Sequence, residues 1–238
     1  MKILTLLFSL SLTIGYSQKL YDFDYIMEYD ATLFYKKPVK IKNEQYRVSE
    51  QSMTRYCLIN SQQNEYFAVI FEKDSLNYQL NFDDHKRKVH ANAVTLKSDL
   101  NNADLIDMNC RYVLGSANLL KSEDYDFIKL KDTLLKNESF FHYKYSLRNK
   151  KKAKRKKTGT YYFIINKSSN FNLPLFTQLS VFEQWILNKK TPIGLIKEKY
   201  YIDYYGKLRY TEKLINFIKT DKKIYIPKSC PLTEITIE

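Results

Sequence analysis

The chain has 238 residues, with 39 Lys and Arg against 26 Asp and Glu for a formal net charge of +13, and its 21 Tyr and 14 Phe supply enough apolar surface to exclude disorder as the overall state. Five glycines leave no GxGxxG or P-loop pattern, which excludes the common nucleotide cradles. Eight positive charges crowd into Arg148–Lys157, so the rest of the chain is only modestly basic.

Met1 and Lys2 precede an uncharged apolar run from Ile3 to Gly15, which ends in the small residues Gly15 and Ser17 ahead of Gln18. This predicts a signal peptide over 1–17, cleaved after about Ser17. The run falls short of the roughly 20 apolar residues that a membrane-spanning helix needs, and no other window is long and apolar enough. The expectation is an exported chain, periplasmic or extracellular, with no transmembrane segment after cleavage. Residues 18–238 are then expected to form a single β-rich domain.

From Tyr21 to Tyr35 the odd positions (Tyr21, Phe23, Tyr25, Met27, Tyr29, Ala31, Leu33, Tyr35) are apolar or aromatic and the even ones mostly polar. That alternation predicts a strand with Tyr21, Tyr25 and Tyr29 on its inward face. Fifteen residues in one strand would span about 50 Å, beyond the usual length, so a bulge, a bend or a strand shared between two parts of a curved sheet is expected. Glu65–Glu72 and Leu76–Phe82 read as a hairpin turning at Lys73–Ser75, with Lys88–Leu96 as a third strand. A polar, turn-rich stretch and a short strand, "CRYVLG", follow. Ser139–Leu147 and Thr158–Ile165 are two more β-rich runs, which puts the basic decapeptide at a hairpin tip, where eight like charges should hold it extended and mobile. Leu173–Lys190 reads as a helix, with Leu175, Leu179, Phe182 and Ile186 as its apolar stripe, Pro174 near its start and Lys189 and Lys190 at its end. The tail returns to strands with a turn at Tyr205-Gly206-Lys207. The fold class that follows is mainly β (α+β): a curved antiparallel sheet or half-barrel with one or two covering helices.

Chemistry-bearing motifs are sparse. His85 and His90, beside Asp83 and Asp84, read as a solvated turn; a cleft that held either histidine with either aspartate would revive a hydrolase reading. His142 reads as a surface residue. Cys57 and Ser116 lack any nucleophile signature, so no catalytic residue is assigned. Cys57, Cys110 and Cys230 imply one disulfide and one free thiol in an oxidising compartment, with the pairing open. Neither a metal site nor a cofactor is expected. The tyrosines crowded at Tyr200, Tyr201, Tyr204, Tyr205 and Tyr210 either fill a wide sheet face or line a pocket. In the second case Tyr25, Tyr29, Tyr200 and Tyr204 are the residues expected to line it, around an apolar or amphiphilic ligand. The basic residues Arg148, Lys150, Lys151, Lys152, Lys154, Arg155, Lys156 and Lys157 either contact an anionic surface or are simply solvated; export removes a nuclear role, and no specific nucleic acid is expected.

Pro192, Gly194, Leu195 and Ile196 resemble the eponymous segment of the GLPGLI family of exported Bacteroidetes-type proteins, which implies an envelope location and supplies no catalytic residues. By architecture alone, a curved sheet with a covering helix resembles the LolA and LolB lipoprotein carriers. The leading expectation is a non-enzymatic exported bacterial envelope protein whose partner is a lipid or an anionic envelope component. The alternatives are an exported hydrolase without a recognisable motif and a structural or adhesive subunit.

Overall fold

The computed structural model describes residues 19–35, 50–87, 89–102, 104–108, 122–167, 171, 174–188 and 194–227. The predicted signal peptide, "CRYVLG", Ser116, Cys110 and Cys230 lie outside these residues.

The long alternating run is shared between two sheets. Strand β1 (Lys19–Asp22) pairs with β14 (Lys223–Ile226), whereas β2 (Tyr25–Phe34) lies between β3 (Glu50–Asn60) and β13 (Leu208–Lys219). The switch at Phe23 and Asp24 is fixed by hydrogen bonds. Phe23 N–H donates to Lys222 O (2.9 Å), Asp24 N–H to Ile59 O (3.0 Å), and the Asp24 carboxylate accepts from Ser61 N–H (2.8 Å) and Oγ (2.5 Å). With these bonds made, the break in the ladder leaves no backbone donor stranded.

β4 (Gln63–Glu72), β5 (Asn77–Asp84) and β6 (Val89–Leu96) continue one wing of the large sheet as hairpins. The β4–β5 turn is held by Asp74 Oδ1, which accepts from Leu76 and Asn77 N–H (2.9 and 2.8 Å), an Asx turn that tightens the loop. Helix α1 (Lys97–Asn102) and β7 (Leu105–Asp107) follow, and β7 joins β14 in parallel. The other wing is built from β8 (Tyr125–Lys129), β9 (Thr133–Leu135), β10 (Glu138–Leu147), β11 (Thr160–Asn166) and β12 (Ile196–Ile202), with helix α2 (Lys150–Lys156) between β10 and β11 and α3 (Leu179–Asn188) between β11 and β12. The strand order is β6-β5-β4-β3-β2-β13-β12-β11-β10-β8, with β9 on β10, and all these pairs are antiparallel. The sheet curves without closing into a barrel, so the predicted mainly β class with covering helices is what the chain adopts.

Each face has its own core. On the outer face of β3–β6, Leu58, Ala68, Ile70, Leu80 and Phe82 pack against Tyr21, Ile106, Ile224 and Ile226 of the small β1-β14-β7 sheet. On the inner face of the other wing, Phe127, Tyr145, Phe163 and Ile165 pack under α3 and the segment before it, through Phe176, Val181, Phe182 and Trp185. A third group, including Met27, Cys57, Val69 and Leu214, fills the inner face between the wings.

The helix is shorter than the sequence predicts, and its buried stripe is rotated. Residues 174–178 are not helical, because the sheet takes up their carbonyls: Asn64 Nδ2 donates to Pro174 O (2.8 Å), and His85 Nε2 lies 3.1 Å from Phe176 O. The helix therefore starts at Leu179 and buries Val181, Phe182 and Trp185, leaving Ile186 exposed. Leu173, Lys189 and Lys190 lie outside the described residues.

Gly159, where the chain re-enters the sheet at β11, has no room for a side chain. A Cβ there would sit 2.3 Å from Ile202 O and 2.5 Å from the Tyr201 hydroxyl. Gly159→Ala is expected to destabilise the fold by about 1–3 kcal/mol through forced displacement of β12, measured as a lower urea midpoint at unchanged m-value.

Candidate functional site

Register places one set of side chains along the inner face. Met53, Arg55, Cys57 and Ile59 of β3 point the same way as Phe67, Val69 and Phe71 of β4, and as Tyr29 and Ala31 of β2. Across β13, β12 and β11 the same face carries Glu212, Lys199 and Phe163 in one row and Tyr210, Tyr201 and Tyr161 in the next. Curvature brings the wings round a cleft of about 610 Å³, within the range of about 300–1,000 Å³ typical of small-molecule sites. Its floor is Leu33, Met53, Phe67, Val69 and Phe71. One end carries Tyr161, Tyr201, Arg209 and Tyr210, the other Asn81, Asp83 and His90, and Thr177 and Gln178 come in from the segment before α3.

In the wall of this cleft lies a largely buried ionic network. Arg55 Nη1 donates to Glu212 Oε1 (2.8 Å) and to the Tyr210 hydroxyl (2.5 Å), and Lys199 Nζ pairs with the other Glu212 oxygen and donates to Thr177 Oγ1 (3.1 Å). Glu212 is 4% exposed, so this pairing replaces its hydration. Burial raises the Glu212 pKa, but the charges of Lys199 and Arg55, with hydrogen bonds from Lys199 and Tyr210, outweigh it and hold the carboxyl below its ordinary value. Next to Arg55, burial pushes the Cys57 thiol up to about 12, so it is an inert neutral group; Cys57 is free.

The two histidines beside Asp83 and Asp84 do not form a solvated turn. His85 is buried, with its ring 5.1 Å from both Phe67 and Phe182, so it joins the β4–β5 wing to α3. Burial lowers its pKa. His90 Nδ1 lies 2.8 Å from Asp83 Oδ1, and this hydrogen bond raises its pKa; both residues line the cleft. His142 is half-buried on the outer face, its Nε2 3.0 Å from the Tyr200 hydroxyl, and desolvation lowers its pKa.

Tyr25, Tyr29, Tyr200 and Tyr204 do not line this cleft. Tyr29 is buried in the sheet core with its hydroxyl on Met27 Sδ, and Tyr25 packs on Phe171. Tyr200 points outward, stacked on Tyr162 at 4.7 Å, and Tyr204 is exposed in the β12–β13 turn. Alternation cannot show which of two adjacent tyrosines faces inward, and here it is Tyr201. Arg55 and Glu212 did leave a signal in the sequence: each is a charge in phase with apolar neighbours, Met53 and Cys57 for one and Tyr210 and Leu214 for the other.

The basic run is a helix rather than an extended tip. Asn149 caps it by accepting from Lys152 N–H (3.0 Å), and Lys157 closes it in the left-handed conformation at φ 48°. Two of its charges are neutralised, since Lys152 pairs with Asp124 and Arg148 lies 3.8 Å from Asp126. Lys150, Lys151, Lys154, Arg155, Lys156 and Lys157 remain exposed. This helix stands at the tyrosine end of the cleft, since Gly159 N–H, two residues beyond Lys157, donates to the Tyr201 hydroxyl (3.2 Å).

Among the described residues, no group of three or more His, Cys, Asp or Glu gathers as metal ligands, and no helix is long and apolar enough to cross a membrane. No family model and no curated protein matches the chain. Of the GLPGLI-like residues, Gly194 and Leu195 lead into β12, Ile196 opens it, and Pro192 lies outside the described residues. Solved structures with a similar backbone include a complex of MucB with MucA(peri), at 5% identity over 84% of this chain and 51% of that chain, with a TM-score of 0.39. The MucA/MucB complex of Pseudomonas aeruginosa matches at 6% identity over 84% and 52%, with a TM-score of 0.38. A domain from Vibrio parahaemolyticus assigned to outer membrane lipoprotein sorting matches at 11% identity over 82% and 85%, with a TM-score of 0.29. The chain spans about half the length of the chains it matches in the two MucA/MucB complexes.

Glu212→Gln leaves Arg55 and Lys199 buried without a counter-charge and is expected to cost about 3–5 kcal/mol near neutral pH, read from urea unfolding. Because the folded pKa of Glu212 is lowered, its contribution is complete above the ordinary value of 4.5 and is lost as the pH falls through the folded value. The gap between parent and variant should therefore narrow on acidification. In a proton NMR titration, His90 is expected to titrate above 6.5 and His85 and His142 below it.

Proposed function

We propose that this protein is a non-enzymatic, exported binding protein of the bacterial envelope that holds an amphiphile in the concave cleft. A single observation carries the reading: an apolar floor of Leu33, Met53, Phe67, Val69 and Phe71, open to a small molecule and flanked by polar groups, which suits a ligand with one apolar part and one polar part. The signal-peptide pattern over 1–17 supports export. The six exposed cations of the α2 segment, beside the tyrosine end of the cleft, support docking on an anionic surface, with an upper limit of ~1 kcal/mol per cation near an anionic membrane.

A second reading follows from His90 and Asp83, which line the cleft together. It is a hydrolase in which His90 activates water, Asp83 orienting its ring. Among the described residues no serine or cysteine lines this cleft, and the Thr177 hydroxyl is engaged by Lys199. Turnover of a panel of nitrophenyl esters that disappears in His90→Ala would favour this reading over the binding protein.

For the binding reading, Val69→Trp is expected to obstruct the cleft floor and weaken binding of a neutral apolar fluorescent probe at least several-fold while the protein stays folded by circular dichroism. Undiminished probe binding would remove the cleft from the account. Replacing Lys150, Lys151, Lys154, Lys156 and Lys157 by Ser is expected to remove most of the salt-sensitive part of binding to phosphatidylglycerol vesicles, with the fold intact because these side chains are exposed. Vesicle affinity equal to the parent's at low salt would show that the helix is merely solvated.

A further inference from the structure

The geometry points to a single-chain carboxylate as the ligand's chemical class, its headgroup held by Arg55. The inference rests on the amphiphile reading above and adds the headgroup.

A guanidinium has five N–H donors in a planar fork. Both donors of Arg55 Nη1 are used, one on Glu212 and one on the Tyr210 hydroxyl. The Nε and Nη2 edge bonds no described residue, and Arg55 lines the cleft. Glu212 and Tyr210 thus fix the orientation of the guanidinium and leave its side-on edge to the cleft. That edge is the one that binds a carboxylate through two parallel N–H···O bonds.

Charge points the same way. Arg55, Lys199 and Glu212 together carry two positive charges and one negative, so the cluster is one positive charge in excess in a poorly hydrated place. Arg209 is matched by Asp203 at 2.7 Å. Asp83 is matched by His90 when that ring is protonated; Asp83 sits two strands over and four residues along from Arg55, roughly 13 Å away along the strand direction alone, and His90 one strand further. The unmatched charge is therefore local to Arg55 and worth one unit, which a monocarboxylate neutralises. A phosphomonoester carries more charge than the cluster offers. The floor of Met53, Val69 and Phe71 begins at Arg55 itself, where Phe71 is its partner across β3 and β4, so a chain leaving the headgroup runs directly onto apolar surface.

The test uses the whole chain and displacement of the neutral apolar probe by decanoate, decanol, decyl phosphate and acetate. Decanoate is expected to bind roughly 10- to 100-fold more tightly than decanol, the range for one charge-assisted contact, and acetate not to compete. In Arg55→Lys, which keeps the charge and loses the fork, the ratio of decanoate affinity to decanol affinity is expected to fall at least several-fold. Equal affinity for decanoate and decanol in the parent would overturn the headgroup and leave the amphiphile reading standing. Tighter binding of decyl phosphate than of decanoate would overturn the carboxylate assignment. Competition by acetate as strong as by decanoate would overturn the role of the chain. Displacement by none of the four would sink the amphiphile reading itself, and because the first comparison is made on the parent, misfolding of the variant cannot mask the answer.

Discussion

The ion pair between Glu212 and its two cations gives the concave face its character. Three strands, β3, β12 and β13, contribute Arg55, Lys199 and Glu212 to a face where Met, Phe and Tyr also pack. Taken singly, each charge would be expelled by the cost of desolvation; together they satisfy one another, and Tyr210 and Thr177 complete the bonding. The network also ties β3 to β13 across β2, which lies between them. A purely apolar packing could hold the same strands more cheaply. What it would lack is a guanidinium held in place beside an apolar floor.

Curvature makes that face into a cleft. Residues on β6 and on β11 and β12 stand far apart in strand order, yet they line one space. His85 helps to hold the arrangement, because its ring touches Phe67 in one wing and Phe182 of the helix that covers the other. Burial lowers the pKa of this imidazole and so favours the neutral ring, an aromatic spacer with one directed hydrogen-bonding nitrogen.

Most of the architecture was legible in the sequence, and the site mostly was not. Alternation from Tyr21 onward and the hairpins at Lys73–Ser75 and Tyr205–Lys207 could be read because a strand's period is two and its turns have their own chemistry. The extent of the helix could not, since Pro174 and Phe176 give their carbonyls to Asn64 and His85, contacts made across the fold. In the basic run eight like charges suggest an extended loop, whereas the cap from Asn149 and a counter-charge on Asp124, distant in sequence, hold it as a helix. Arg55, Lys199 and Glu212 are scattered through the chain, and only sheet register brings them together. Their one local sign was polarity on an apolar phase, which looks the same for a binding group and for an error in the assumed phase.

The division of the first strand at Phe23 and Asp24 bears on how the chain reaches its fold. β1 is the first described strand and β14 the last, and they pair with each other. The apolar outer face of β3–β6 is therefore covered only when the two most distant segments of the described chain meet. Contacts of such long sequence separation form late, because the loop entropy is lost before any contact repays it. Without the small sheet, Leu58, Ala68, Ile70 and Phe82 would lose that cover. Among the described residues, burial of that face therefore requires β14 to dock.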